Sequence, residues 1–272
     1  MSTEAAVGRY YAQDRLLQTV LDGFAAVGKT PGTITLEDLR AIDEFHMGGH
    51  QATVGLGERL TPPRGSAVLD IGCGLGGTAR FFACRFGCAV TAIDLTPDYV
   101  AVAAALTKMV GLDVRFATAS ATALPFGAVF DAATLLHVGM NIPDKRQLFA
   151  EAARVLTPGA MLGVYDVMRT GGEGPAYPVA WAASEATSFL AAPAVYRQAL
   201  EAAGFTIESE RSQRDLALAG FAKLRARIAE RGPPPVGLHL VMGADAGRKT
   251  ANMIAALGAG SIAPIEMICR RR

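Results

Sequence analysis

The sequence predicts an α/β chain built on a doubly wound parallel sheet, with helical additions at its N-terminal side and toward its C-terminal side. Three observations predict it. Short apolar segments alternate with helix-length segments from residue 66 to residue 211. The first apolar segment runs directly into a glycine-rich turn, Gly72-Cys73-Gly74-Leu75-Gly76-Gly77. Half of the 272 residues (51%) are apolar and 19% are charged, enough to cover both faces of a buried sheet.

Residues 10–29 place Tyr11, Leu16, Leu17, Val20, Leu21 and Phe24 at helical spacing, which predicts one helix stopping at Gly28. Thr30-Pro31-Gly32 is a turn, and Thr35 with Asp38 three residues on predicts a capped helix through Ala41. The segment DEFHMGGHQAT (43–53) leads into a helix ending at Leu60, and Thr61-Pro62-Pro63-Arg64-Gly65 reads as a linker. Strands are predicted at 67–72, 89–94, 114–119, 130–136, 161–167 and 206–211, with helices at 77–86, 97–110, 143–156 and 193–203. Beyond residue 211 the alternation stops. A basic-faced helix covers 213–231, Gly232-Pro233-Pro234-Pro235 breaks it, a helix with Asp245 as N-cap covers 245–258, and 261–269 adds a last strand. The chain thus divides into an N-terminal helical cap (1–64), an α/β core (65–211), a helical cap insertion (212–258) and a final strand of the core sheet (259–272).

Composition narrows the partners. With 26 basic and 25 acidic side chains the formal charge is +1, so nucleic acid is not expected as a partner. No apolar run approaches the roughly 18 residues of a membrane span, and the N-terminus lacks a basic stretch followed by an apolar one, so neither a membrane partner nor a signal peptide is expected. The four cysteines are scattered; Cys84 and Cys88 read as buried free thiols rather than metal ligands, and no metal is expected. The expected compartment is the cytoplasm, and a homodimer is left open.

The glycine turn lets backbone approach a ligand closely, and the helix that follows presents its N-terminus to an anion. Gly72, Gly74 and Gly77 satisfy G-x-G-x-x-G, a spacing shared with dinucleotide sites. Two carboxylates redirect the reading. Asp70 ends the strand before the turn, where it repels a pyrophosphate and attracts an ammonium. Asp94 ends the second strand, the place from which a carboxylate accepts hydrogen bonds from ribose hydroxyls. S-adenosylmethionine carries a cationic amine, a carboxylate and a ribose, and fits both acids and the turn.

The stretches LDIGCGLGGTARF, AIDLT, ASATALPF, FDAATLLHVGMNIPDK and ARVLTPGAMLGVYDV, over residues 66–168, resemble the class I S-adenosylmethionine-dependent methyltransferases. DEFHMGGHQAT, HVGMNIPDK and AYPVAWAASEATSFL resemble more narrowly the sarcosine/dimethylglycine N-methyltransferases and the quinone C-methyltransferases. The resemblance implies the Rossmann-like sheet of that class. It implies that Gly72, Gly74 and Gly76 contact the methionine end, that Asp70 anchors the amine, and that Asp94 holds the ribose hydroxyls with Leu95 against the adenine. The family commonly has an Asp in the loop after the third strand that reaches the adenine amino group; Ser120, followed by Ala121, stands there instead. Ala160 replaces the second glycine of the family's proline-glycine-glycine turn.

His137 follows the fourth strand, which in this fold puts it beside the transferred methyl, as a contact to the cofactor and a general base for an amine or hydroxyl. Asn141 lies nearby on the acceptor side; Asp144 reads as the start of the next helix. Tyr11 with Tyr10, His46 ahead of Gly48-Gly49, and Trp181 after the fifth strand are the remaining candidates for the acceptor pocket, while His239 reads as structural. The function expected is methyl transfer to a small-molecule acceptor, first an amine nitrogen, with carbon or oxygen of an aromatic or quinone-like molecule as the alternative. More distant are an NAD-dependent oxidoreductase and a non-catalytic nucleoside-binding protein.

Overall fold

The computed structural model describes residues 2–12 and 15–272. Four helices precede the sheet: α1 (Thr3–Tyr11), α2 (Leu16–Ala26), α3 (Leu36–Asp43) and α4 (Gly49–Leu60). Strand–helix alternation then gives β1 (Ala67–Ile71), α5 (Gly77–Phe86), β2 (Ala89–Asp94), α6 (Pro97–Met109), β3 (Arg115–Thr118), β4 (Phe130–Leu136), α7 (Lys145–Val155), β5 (Leu156–Arg169), α8 (Pro193–Ala202) and β6 (Phe205–Ser212). The chain closes with α9 (Arg214–Arg231), α10 (His239–Met242), α11 (Ala246–Ala259) and β7 (Ile262–Arg271).

Among the described residues one seven-stranded sheet forms, in the order β3-β2-β1-β4-β5-β7-β6. β1 to β5 are mutually parallel, and β7 inserts antiparallel between β5 and β6. β1 lies between β2 and β4, so the winding direction reverses at β1/β4, and the crevice beyond the carboxyl ends of these two strands is where such sheets take ligands.

Local chemistry explains the boundaries. Thr35 and Asp38 form a reciprocal capping box on α3, and the Asp144 carboxylate accepts the Gln147 amide at the start of α7. Pro97 opens α6, where its missing N–H leaves no bond unmade. The sheet is covered on both sides. One cluster packs α7 and α8 against β4, β5 and β7 through Leu148, Phe149, Leu162, Val164 and Leu200; the other packs α4 and α5 through Leu56, Leu60, Ala79 and Phe82. Leu56 and Leu60 lie directly over Gly163 of β5, where a side chain would displace them. A third cluster joins α2, α3, α6 and Val241 of α10, and a fourth joins Met47, Met140, Trp181, Ala217, Met253 and Leu257 beneath the C-terminal helices.

Three sequence expectations change. The single helix expected over 10–29 is two, because Ala12 turns extended and Arg15 is left-handed (φ 64°), sending α1 away from α2; positions 13 and 14 lie outside the described residues. Asp245 stands at the start of α11, yet its carboxylate pairs with Arg248 at 3.1 Å instead of capping the backbone. Cys84 is exposed, whereas Cys73, Cys88 and Cys269 are buried, and all four are free. No helix among the described residues is long and apolar enough to cross a membrane.

Candidate active site

A cavity of about 930 Å³ opens over the carboxyl ends of β1, β2, β3 and β4, walled by α1, the loop before α4 and the C-terminal helices. Asp70, Gly72, Gly74, Asp94, Leu95, Ser120, Ala121 and His137 line it, as do Tyr11, His46, Asn141 and Trp181. Gly76 does not. It starts α5 with φ 88°, and a side chain there would meet Arg80 and Phe116, so its freedom serves the turn itself.

The glycine turn is held open from below. Gly72 has φ 74° and its missing side chain leaves room for Val138. Gly74 has φ 53° and nothing within 4 Å of where a Cβ would stand, so bare backbone faces the cavity there. Asp94 accepts the Gly74 amide on Oδ2 and the Thr96 amide on Oδ1, both at 2.9 Å. The same carboxylate therefore fixes the turn and borders the cavity. Burial pushes the Asp94 carboxyl above its ordinary value, against the opposing pull of these amide bonds.

Asp70 is 2% exposed. Its Oδ1 accepts the Thr134 hydroxyl at 2.7 Å, while Oδ2 is buried with no hydrogen-bond partner. Burial first, and the charge of Asp94 among lesser causes, push its carboxyl up to about 7. A buried carboxylate in that state is short of a cation. An ammonium group in the cavity supplies one, so the residues present fit an amino-acid-bearing nucleoside: open backbone at Gly74, an unpaired acid at β1 and a second acid at β2.

Across the switch point, His137 directly follows β4 in the left-handed region (φ 55°), an uncommon conformation for a residue with a side chain. Its amide donates to the Tyr165 carbonyl at 2.8 Å, its ring stacks on the Tyr165 ring, and Nε2 is buried with no partner. Burial, then the neighbouring His46, hold its imidazole well below the usual value, so it is neutral. Tyr165 in turn donates to the Met47 carbonyl at 2.7 Å, tying the segment before α4 to β5.

That segment carries a carboxylate the sequence did not single out. Glu44, 4% exposed, takes His50 Nδ1 at 2.7 Å on Oε1 and the Thr53 hydroxyl at 2.6 Å on Oε2. Burial pushes its carboxyl up, but His50, His46 and Thr53 outweigh this and leave it below its ordinary value. His46 Nε2 lies 3.4 Å from Glu44 Oε2 and 3.2 Å from the Gly49 carbonyl, two acceptors that put the ring proton on Nε2. The signal in the sequence is an acid followed by His46 and His50 at two and six residues; its bond to Thr53, nine residues on, forms only in the fold. Glu4 on α1 and the cap residues Phe221 and Met253 also line the cavity and escaped sequence reasoning.

The other candidates separate by partner. Trp181 is buried and donates from Nε1 to Ser188 at 2.9 Å, so it is both wall and packing. Tyr11 donates to Asn141 Oδ1 at 3.3 Å, joining α1 to the loop that carries His137. His239, read as structural, also lines the cavity. No grouping suited to a metal ion occurs among the described residues.

Comparison with known proteins fits this geometry. Residues 68–159 match the family described as a methyltransferase domain. The O-methyltransferase rstn1 of Aspergillus nomiae is 31% identical over 174 residues, covering 62% of this chain and 75% of that protein. The chain belongs to the class I S-adenosylmethionine-dependent methyltransferases. S-adenosylmethionine is thus the cofactor of this methyltransferase. The methyltransferase GfsG of Streptomyces halstedii is 32% identical over 61% of this chain, and the match spans 59% of that relative's length. The geranyl diphosphate C-methyltransferase of Streptomyces coelicolor A3(2) superposes with a TM-score of 0.70 at 15% identity, covering 100% of this chain and 98% of that one, a likeness of fold.

Proposed function

We propose that this methyltransferase moves a methyl group from S-adenosylmethionine to a hydroxyl oxygen of a largely apolar small molecule. The observation that carries the reading is that Asp70 and His137, each with a buried polar atom lacking a partner (Oδ2 and Nε2), line the same cavity.

Bound S-adenosylmethionine supplies a methyl group made electrophilic by its sulfonium. Asp70 receives the ammonium, and the bare backbone at Gly74 admits the methionine end. Asp94 accepts from the ribose hydroxyls, with Leu95 and Ala121 against the base. His137 Nε2 accepts the proton of the acceptor hydroxyl as the methyl–oxygen bond forms and the methyl–sulfur bond breaks. The ring is neutral near pH 7, so Nε2 carries a free lone pair when the other ring nitrogen holds the proton, and its stacking on Tyr165 holds it in place. Glu44 orients His46, which packs edge-on against His137 with 5.9 Å between ring centroids.

An oxygen acceptor departs from the amine expected from the sequence. The part of the cavity beneath the C-terminal helices is lined by Met140, Trp181, Phe221, Leu224, Met242 and Met253, and none of the cavity's carboxylates comes from those helices: Glu4 is on α1, Asp43 and Glu44 are at and after the end of α3, Asp70 and Asp94 are in β1 and β2, and Asp144 is at the start of α7. A cationic amine would lose its hydration there without gaining a counter-charge. A neutral hydroxyl-bearing molecule loses less. The four free cysteines suit a reducing compartment such as the cytoplasm.

The test is incubation with methyl-labelled S-adenosylmethionine and matched panels of apolar alcohols, phenols and amines, followed by mass spectrometry. Label on the hydroxyl compounds supports the reading. Label on amines alone overturns the choice of oxygen, and release of no label to any panel overturns methyl transfer.

A further inference from the structure

Asp70 lies one residue before the end of β1, Asp94 ends β2, and residues 119–122 follow β3, three strands adjacent in the order β3-β2-β1. Neighbouring strands lie about 4.8 Å apart. A ligand gripped at its ammonium by Asp70 and at its ribose by Asp94 therefore delivers its base to the loop after β3. The adenine amino group is an N–H donor and needs an acceptor there. Ala119, Ser120, Ala121 and Thr122 line that end of the cavity from the loop, and Thr3, Glu4 and Val7 line it from α1. Glu4 is the carboxylate in this group. Ser120 donates to Glu4 Oε1 at 2.5 Å, and the Thr122 hydroxyl donates to the same oxygen at 3.2 Å. The two hydroxyls, 2.8 Å from each other, thus hold the carboxylate by one oxygen, with Oε2 left for another donor.

We propose that Glu4 recognises adenine, its Oε2 accepting a hydrogen bond from the amino group and supplying from α1 the carboxylate that position 120 lacks. The proposal rests on the S-adenosyl reading of the cavity. Glu4 lies in the first turn of α1, where the helix favours an ionised acid. The far end of α1 is fixed without it: Tyr10 donates to the Val179 carbonyl at 2.6 Å, and Lys249 Nζ stands 4.7 Å from the Tyr10 ring centroid. Removing the Glu4 carboxylate should therefore leave α1 docked. Asp144, another acid on the cavity wall, follows β4 and caps α7, whereas Glu4 is bonded to Ser120 and Thr122 of the loop after β3.

The test is calorimetric titration with S-adenosylhomocysteine and with S-inosylhomocysteine, whose base carries a carbonyl oxygen where adenine carries the amine. Wild type should prefer the adenosyl compound by about tenfold or more, since a carboxylate pairs with the amine and repels the carbonyl. Glu4→Ala should lose most of that preference, and Glu4→Ala/Ser120→Asp should regain it. A Glu4→Ala protein that keeps the wild-type preference overturns the proposal, as does one that weakens for both compounds equally, because α1 then only covers the cavity. Failure of wild type to bind either compound would instead remove the S-adenosyl site, and this proposal with it.

Discussion

The imidazole of His137 stacks on the phenol ring of Tyr165, with 5.6 Å between centroids and 28° between planes. Tyr165 is itself held by the Met47 carbonyl, so one aromatic pair links the end of β4, the middle of β5 and the segment ahead of α4. The proposed base is thereby held against the sheet.

Replacing His137 by Asn keeps a residue that tolerates positive φ and removes the proton acceptor. Turnover should fall by about a hundredfold or more, while affinity for S-adenosylhomocysteine stays within about threefold. Because burial and His46 depress the imidazole, wild-type turnover should be level from neutral to mildly alkaline pH and fall only in acid. Steady-state kinetics across pH check both, and an unchanged kcat in His137→Asn would remove it from the chemistry.

The two glycines facing Val138 and the open cavity should fail in different ways. Gly72→Ala drives a methyl into Val138 at positive φ, so it should lower stability by more than about 2 kcal/mol. Gly74→Ala meets open space, so only its positive φ costs about 1–2 kcal/mol, yet its methyl occupies the cavity and should abolish S-adenosylhomocysteine binding. Urea unfolding paired with calorimetry separates the two, and equal losses of stability would contradict the geometry.

The Asp70 carboxyl gives a pH signature. It ionises near 3.8 unfolded but near 7 folded, so between those values the folded chain holds a proton that the unfolded chain has released. This contribution makes stability fall as pH rises through that window. Asp70→Asn should therefore gain in Tm relative to wild type at pH 8 and show little difference at pH 4. S-adenosylhomocysteine, by bringing an ammonium to the acid, should shrink the gap at pH 8. A difference independent of pH would contradict it.

Much of this was legible in the sequence because it is local. Strand, glycine turn and following helix are contiguous, so Asp70, Gly72 and Gly74 could be placed from pattern alone, and Asp94 falls at the end of the next strand. His137 was located by the same rule. Glu4 and Glu44 were not, since each owes its place to partners that only tertiary packing brings near: Ser120 lies 116 positions from Glu4, and Glu44 is buried where the segment before α4 closes on the sheet. Cys84 was misjudged for the complementary reason, an apolar neighbourhood in sequence that turns outward on α5.

Arg80 shows how that segment is pinned. It is fully buried, bonds the Leu75 carbonyl at 2.7 Å and the Thr107 hydroxyl at 2.8 Å, and pairs with Asp43 at 2.7 Å. Arg80→Ala should lower stability by about 3–5 kcal/mol by leaving Asp43 buried and unpaired. Arg80→Met/Asp43→Asn should recover part of the loss in urea unfolding, and no recovery would mean that packing rather than charge dominates.

The most direct measurement is calorimetry of the wild-type protein with S-adenosylhomocysteine beside NAD, repeated with Asp70→Ala. Saturable binding of S-adenosylhomocysteine, weakened about tenfold or more in Asp70→Ala, with no heat from NAD, is the predicted result. Binding of NAD in its place, or an affinity for S-adenosylhomocysteine that Asp70→Ala leaves untouched, would contradict it.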